Sequence, residues 1–212
     1  MNTILIAIIV ANVLFSYKGF NDITFFRKYE FHMGSVRAGE QIRLFSSGFL
    51  HADIAHLAFN MLTLYFFAPV VLGYLGSFSF LIIYFGSLLF GSLLTIVFHK
   101  DDYSYRAVGA SGAVTGILYS AILLQPNMML GLFFILPIPA YLFGILYLLY
   151  SIYGMKAKND NIGHTAHFGG AIGGYIITLV SNPHLLVDHT LMVILLTIPI
   201  VILFVMAKMG KL

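Results

Sequence analysis

Cysteine is absent and charge is scarce: Asp, Glu, Lys and Arg together make up 9% of the 212 residues. The first absence excludes disulfides, thiolate metal sites and cysteine nucleophiles. Covalent chemistry, if there is any, falls to Ser, His, Asn, Tyr or carboxylates. The eight carboxylates are Asp22, Glu30, Glu40, Asp53, Asp101, Asp102, Asp160 and Asp188, and none lies in the middle of a long apolar run. A serine-based site in this chain therefore reads as a dyad and not a triad. The second absence excludes a soluble globular domain, because 60% of the residues are hydrophobic and the mean hydropathy is +0.95. The composition is that of an integral membrane protein, and it offers no reason to expect a nucleic-acid partner.

Apolar runs approach or exceed the ~20 residues an α-helix needs to cross a hydrocarbon core ~30 Å thick. Seven are read as spans: Thr3 to Phe15, Ile54 to Leu75, Phe78 to Phe98, Ala107 to Leu124, Leu130 to Tyr150, Thr165 to Val180 and Leu191 to Met206. The first is short, but it has neither the basic flank nor the small-residue cleavage site of a signal peptide. The expected class is an all-α membrane protein, with residues 1–212 forming a single multi-pass membrane domain. Its longest polar connection, Tyr17 to Leu50, mixes Phe, Gly and charges, and a connection of that length is usually functional.

Counting spans assigns the connections to faces. The loops after odd-numbered spans, together with the C-terminal tail, share one face, and that face holds all eleven basic residues: Lys18, Arg27, Lys28, Arg37, Arg43, Lys100, Arg106, Lys156, Lys158, Lys208 and Lys211. By the positive-inside rule this face would be cytoplasmic. The same parity puts His56 and Asn60 near the start of the second span, Ser111 near the start of the fourth and His167 near the start of the sixth. All four are expected at one depth, toward the basic face. Buried polar side chains are costly in a bilayer, so they are candidates for function.

Their chemistry is complementary. A helix running from Ser111 to Leu124 is only ~20 Å long, so Val108-Gly109-Ala110 must enter the membrane as loop, which is tolerated only where it is buried in protein or lines a wet cavity. A serine hydroxyl needs a base titrating near neutrality, and His167 is the best-placed one. Gly112 and Gly116 on one helix, and Gly170 and Gly174 on the other, have the small-residue spacing that lets membrane helices touch. His56 and Asn60, four residues apart, leave one helix face, and their N–H groups can join the backbone of Ser111 and Ala110 in an oxyanion hole. Taken singly, each element has a structural reading as packing glycine, satisfied histidine or interhelical amide; their coincidence at one depth raises catalysis above that reading. His51, His164, His184 and His189 read as structural or solvated residues near the water interfaces.

Arg43, the His51-x4-His56-x3-Asn60 run, Gly109-Ala110-Ser111-Gly112 and Ala166-His167-x2-Gly170-x3-Gly174 occur in this order, and together they resemble the rhomboid family of intramembrane serine proteases. The resemblance covers about Thr3 to Ser181. It implies a rhomboid-like six-helix core with Ser111 as nucleophile, His167 as general base and oxyanion contacts from His56, Asn60 and nearby backbone. It further implies single-pass transmembrane substrates with helix-weakening residues near the cut, an active site toward the extracytoplasmic side, and no cofactor or metal. The last span would be a seventh, C-terminal helix, and the long connection would lie partly in the membrane. The chain departs from the family in two places. Many members have Trp-Arg where this chain has Ile42-Arg43, and many carry an aromatic that packs on the histidine one turn after the serine, where this chain has Thr115. Two other readings are a non-catalytic rhomboid-like protein that binds membrane helices, and a metal-dependent membrane protein using His51, His56, His164 and His167. Inactive relatives typically lack the serine or the histidine, whereas this chain keeps both. Zinc sites usually add carboxylates, and only Asp53 is close.

Overall fold

Asn2 opens the first helix, its side-chain oxygen accepting from the Ile4 N–H at 2.9 Å. The computed structural model describes residues 2–132, 136–157 and 162–212. Helix α1 spans Thr3–Asn21, longer than the apolar run alone suggests. The next long helix, α5, covers Ile54–Phe98, and its 45 residues would reach about 68 Å if straight, more than twice a hydrocarbon core. It is broken at Gly76, whose φ of 75° is easy only for glycine. The chain folds back there: His56 from the first arm and Ser87 from the second both approach the Gly109–Gly112 segment.

Between α1 and α5 the long connection is a folded layer. Helix α2 (Ile23–Tyr29), strand β1 (Phe31–His32), helices α3 (Met33–Arg37) and α4 (Arg43–Ser46), and a 3-10 turn at Ser47–Phe49 follow in order. Phe31, Met33, Val36 and Leu44 give the layer its own small core. Arg43 is buried at its centre and donates to the carbonyls of Arg27 (2.8 Å) and Glu30 (2.9 Å) and to the Glu40 carboxylate (2.7 Å). Buried Glu30 accepts from Arg27 and from Arg106. Strand β2 (Arg106–Ala107) pairs antiparallel with β1, so the layer is joined to the segment that leads into Ser111.

Helix α6 (Ser111–Leu124) has 14 residues, about 21 Å, and cannot cross the core unaided; from Gly112 onward every residue is buried. Helix α7 covers Ala140–Ala157, α8 His164–Ser181, the short α9 Leu185–Asp188 and α10 Thr190–Lys208. Helices α5, α6 and α8 make the most extensive mutual packing. Where α6 meets α8, a Cβ on Gly170 would lie 2.0 Å from the Gly112 carbonyl oxygen, and one on Gly174 would lie 2.1 Å from that of Gly116. The two backbones are in contact, and only glycine fits between them.

The fold corrects the sequence reading in two respects. The architecture is helical but not purely so: besides β1 and β2, β3 (Met129–Leu132) and β4 (Leu136–Pro139) form an antiparallel hairpin. That hairpin occupies the head of the expected span Leu130 to Tyr150, of which residues 133–135 lie outside the described residues, and the helix starts only at Ala140. The physical reason is Pro137 and Pro139, which lack the N–H a helix interior needs. Lys158, counted above on the basic face, and Asp160, one of the eight carboxylates, also lie outside the described residues.

Candidate active site

Ser111 is the first residue of α6, and the three residues before it are held individually. Gly109 has a φ of 128°, a conformation side chains rarely adopt, and its N–H donates to the Ser47 carbonyl at 3.0 Å. The Ala110 N–H turns to His51 Nε2 at 3.4 Å. His51 Nδ1 donates to Ser16 Oγ at 2.8 Å, and that hydroxyl donates onward to the Phe49 carbonyl at 3.0 Å. His51, expected near a water interface, is fully buried beneath the loop. Burial pushes its pKa down to about 3, with neighbouring His56 acting in the same direction, so it stays neutral and can accept from Ala110.

His167 sits in the first turn of α8, and its Nε2 lies 2.7 Å from Ser111 Oγ. Its Nδ1 lies 2.8 Å from Tyr147 Oη on α7, and the two rings stand 5.7 Å apart at 24°. Tyr147 is the residue the sequence reading missed. The end of the fifth run falls on the same face and at the same depth, but α7 is apolar on every side, so nothing in its periodicity says which residue turns inward. The small residues Gly144 and Ser151, both buried, were the available signal. Thr115, in the place where many family members have an aromatic, donates to the Ser111 carbonyl at 2.7 Å.

His56 closes over Gly109: a Cβ there would lie 2.7 Å from His56 Cε1, 2.8 Å from its Nε2 and 3.6 Å from Ser111 Oγ. Asn60, one turn further along and buried, uses one amide N–H on the His56 carbonyl at 3.1 Å. Of the expected oxyanion donors, the backbone of Ala110 is therefore turned away, toward His51. Arg43 lies within the folded layer, and its side chain donates to Arg27, Glu30 and Glu40 there. The histidines form two separate pairs, His51 with His56 (5.0 Å) and His164 with His167 (6.2 Å), and His164 is buried. Among the described residues no three metal-ligating side chains come together. His189 Nδ1 bonds the Leu123 carbonyl at 2.6 Å and His184 is exposed, both far along the chain from the site. A cavity of about 30 Å³, lined in part by Ser47, Ser92 and Thr95, adjoins Ser111 and has room for about one water molecule.

Residues 38–184 match the model of the Rhomboid domain, and this stretch contains His51, His56, Asn60, Ser111, Thr115, Tyr147 and His167. The chain belongs to the rhomboid family. It is 30% identical over 185 residues to RHOMBOID-like protein 12, mitochondrial, of Arabidopsis thaliana, covering 79% of this chain and 55% of that protein. It is 34% identical over 147 residues to the Putative rhomboid protease YdcA of Bacillus subtilis, covering 68% and 69%. It is also 34% identical over 140 residues to Rhomboid protease GluP of the same organism, covering 66% and 26%. The chain thus spans about half the length of the plant relative and a quarter of GluP. As a rhomboid with four helices among the described residues long and apolar enough to cross a bilayer, one of them the bent 45-residue helix, it is an integral multi-pass membrane protein.

Proposed function

We propose that this rhomboid is an intramembrane serine endopeptidase with Ser111 as nucleophile and His167 as general base. The observation that carries the reading is the 2.7 Å contact between Ser111 Oγ and His167 Nε2 at the head of a buried helix. Ser111 Oγ attacks a peptide carbonyl while its proton passes to Nε2, giving a tetrahedral oxyanion. The imidazolium then protonates the departing amine, leaving an acyl-enzyme. Water, deprotonated by the same nitrogen, hydrolyses the ester and restores the serine. The oxyanion faces the free N–H at the start of α6, the His56 ring and the second amide N–H of Asn60, each such donor contributing roughly 10² to 10³ in rate. The small cavity beside Ser111 supports a water supply inside the protein.

The substrates are single-pass transmembrane proteins whose helix is weak at the cut, because a peptide carbonyl inside an intact helix is already bonded. They reach the site from the lipid bilayer. The rhomboid core is six helices, with α10 a seventh outside it, all in one membrane domain. The active-site face is extracytoplasmic. The count of basic residues points the other way, but Arg27, Lys28, Arg37 and Arg43 belong to the folded layer between α1 and α5, which lies partly in the membrane, so they do not all count as loop charge.

The test uses purified protein and a transmembrane substrate. Ser111→Ala and His167→Ala should each abolish cleavage without lowering the unfolding temperature, and a fluorophosphonate should label wild-type protein at Ser111. Cleavage retained by Ser111→Ala would overturn the assignment.

A further inference from the structure

We propose that Tyr147 is a positioning residue for the proton transfer: its phenol oxygen accepts a hydrogen bond from Nδ1–H of the His167 imidazolium, stabilising the charge that arises when Ser111 gives up its proton. The kinetic consequence rests on the protease reading above; the hydrogen bond to the protonated ring does not.

Tyr147 Oη stands 2.8 Å from His167 Nδ1. A phenol can donate or accept, so with a neutral ring this contact is compatible with either tautomer. The protonated ring has no such freedom. Imidazolium carries N–H on both nitrogens, each able only to donate, so the phenol oxygen beside Nδ1 serves as an acceptor. When Ser111 Oγ attacks, its proton passes to Nε2 at 2.7 Å, the carbonyl π pair becomes the oxyanion, and the ring becomes this cation. Whichever tautomer predominates at rest, the state that follows has its other N–H facing Tyr147.

Burial makes the acceptor matter. His167 is buried, so a charge arising on its ring is poorly solvated by bulk water. A hydrogen bond to a charged partner is about twice as strong as one between neutral groups. The contact is therefore weaker before proton transfer than after it, and only an interaction that strengthens in this way lowers the barrier.

The fold holds the phenol in place without relying on this bond. The Tyr147 ring stacks with Phe143 at 5.9 Å and 14° and with His167 at 5.7 Å and 24°. Gly144 lets α7 approach α6 closely, since a Cβ there would meet Ile122 Cδ1 at 2.8 Å, and its carbonyl accepts from the Tyr119 hydroxyl. Ser151 Oγ donates to the Tyr147 carbonyl at 3.0 Å. Removing only the phenol hydroxyl leaves these contacts intact.

The experiment compares wild type, Tyr147→Phe, and protein in which Tyr147 is replaced by mono- or difluorotyrosine. Cleavage of a transmembrane substrate is measured in nanodiscs at a pH where every phenol is protonated. Fluorine withdraws electron density from the phenol oxygen, making it a weaker acceptor and a stronger donor. Tyr147→Phe should lower kcat by roughly tenfold or more, with KM moving less than about twofold and the unfolding temperature unchanged. Turnover should fall stepwise from tyrosine to mono- to difluorotyrosine. A rise along that series, or wild-type kcat in Tyr147→Phe, would overturn the proposal.

A second readout does not depend on cleavage. It is NMR of ¹⁵N-histidine-labelled protein in mild acid, where His167 carries both protons, with its signals assigned by their loss in His167→Gln. The Nδ1 proton should exchange with water about tenfold or more slowly in wild type than in Tyr147→Phe. Equal exchange in the two folded proteins would refute the bond. If the wild type cleaves nothing, the protease reading fails and the exchange measurement alone decides whether Tyr147 holds the cation.

Discussion

Helices α6 and α8, which carry Ser111 and His167, meet backbone to backbone, and α8 meets the second arm of α5 in the same way, whereas the glycines of α7 meet their neighbours through side chains. A Cβ on Gly170 would fall 2.0 Å from a carbonyl oxygen, while one on Gly73, in the first arm of α5, would meet nothing within 4 Å. Only 28% of the most apolar stretch of α1 and 22% of that of α10 are buried, whereas α6 is enclosed from Gly112 to Leu124. Side-chain contacts can relax by changing rotamer; backbone contacts cannot. The inner seam therefore fixes the serine-to-histidine distance rigidly, and the outer helices present the lipid-facing apolar surface. Tyr147 is the exception, an outer-helix residue reaching the inner pair.

Four substitutions would break or sharpen this contrast. Gly170→Ala should have the largest effect, destabilising by about 3 kcal/mol or more by overpacking and removing cleavage, as read by unfolding in detergent and by substrate turnover. Glu30→Gln should cost about 2 kcal/mol by weakening charged hydrogen bonds at the join between the folded layer and the Ser111 segment, with faster proteolysis of residues 22–50 as the check.

The third concerns pH. His51 has a folded pKa of about 3 against an ordinary value of 6.5, so between these values the unfolded chain binds the extra proton. Stability is then present above 6.5 and is lost as pH falls through the window, at up to about 1.4 kcal/mol per pH unit. Unfolding temperatures measured near neutrality and in mild acid should converge in His51→Gln and separate in the wild type; equal slopes would refute the buried neutral histidine. The smallest effect is Gly73→Ala, expected to stabilise by about 0.5 kcal/mol through helix propensity alone. A loss there as large as at Gly170 would erase the distinction between inner and outer packing.

Much of this arrangement was legible before any fold was known. Apolar runs without charge mark the helices, and span parity puts Ser111, His167, His56 and Asn60 at one depth. The exception, Leu130 to Tyr150, arises because hydropathy counts Pro137 and Pro139 as compatible neighbours, while the helix interior rejects them for lack of an N–H. His51, open between a structural and a solvated reading near a water interface, is structural: Arg43 and Glu30 organise the long connection into a layer that buries the histidine against Ser16 and Ala110. Tyr147 was hidden because a helix apolar on all sides carries no amphipathic signal.

By itself the sequence determined the solvent this chain lives in, the polar groups admitted to it, and the glycines that let their helices touch. These follow from composition and spacing, which act over whole helical turns. Only the tertiary structure decided that the Ala110 N–H faces His51, that Tyr147 reaches His167, and that the serine and histidine stand 2.7 Å apart. Periodicity locates a residue to within about one turn of 5.4 Å, whereas a hydrogen bond is made or lost within about half an ångström, and that last step depends on how the backbones pack.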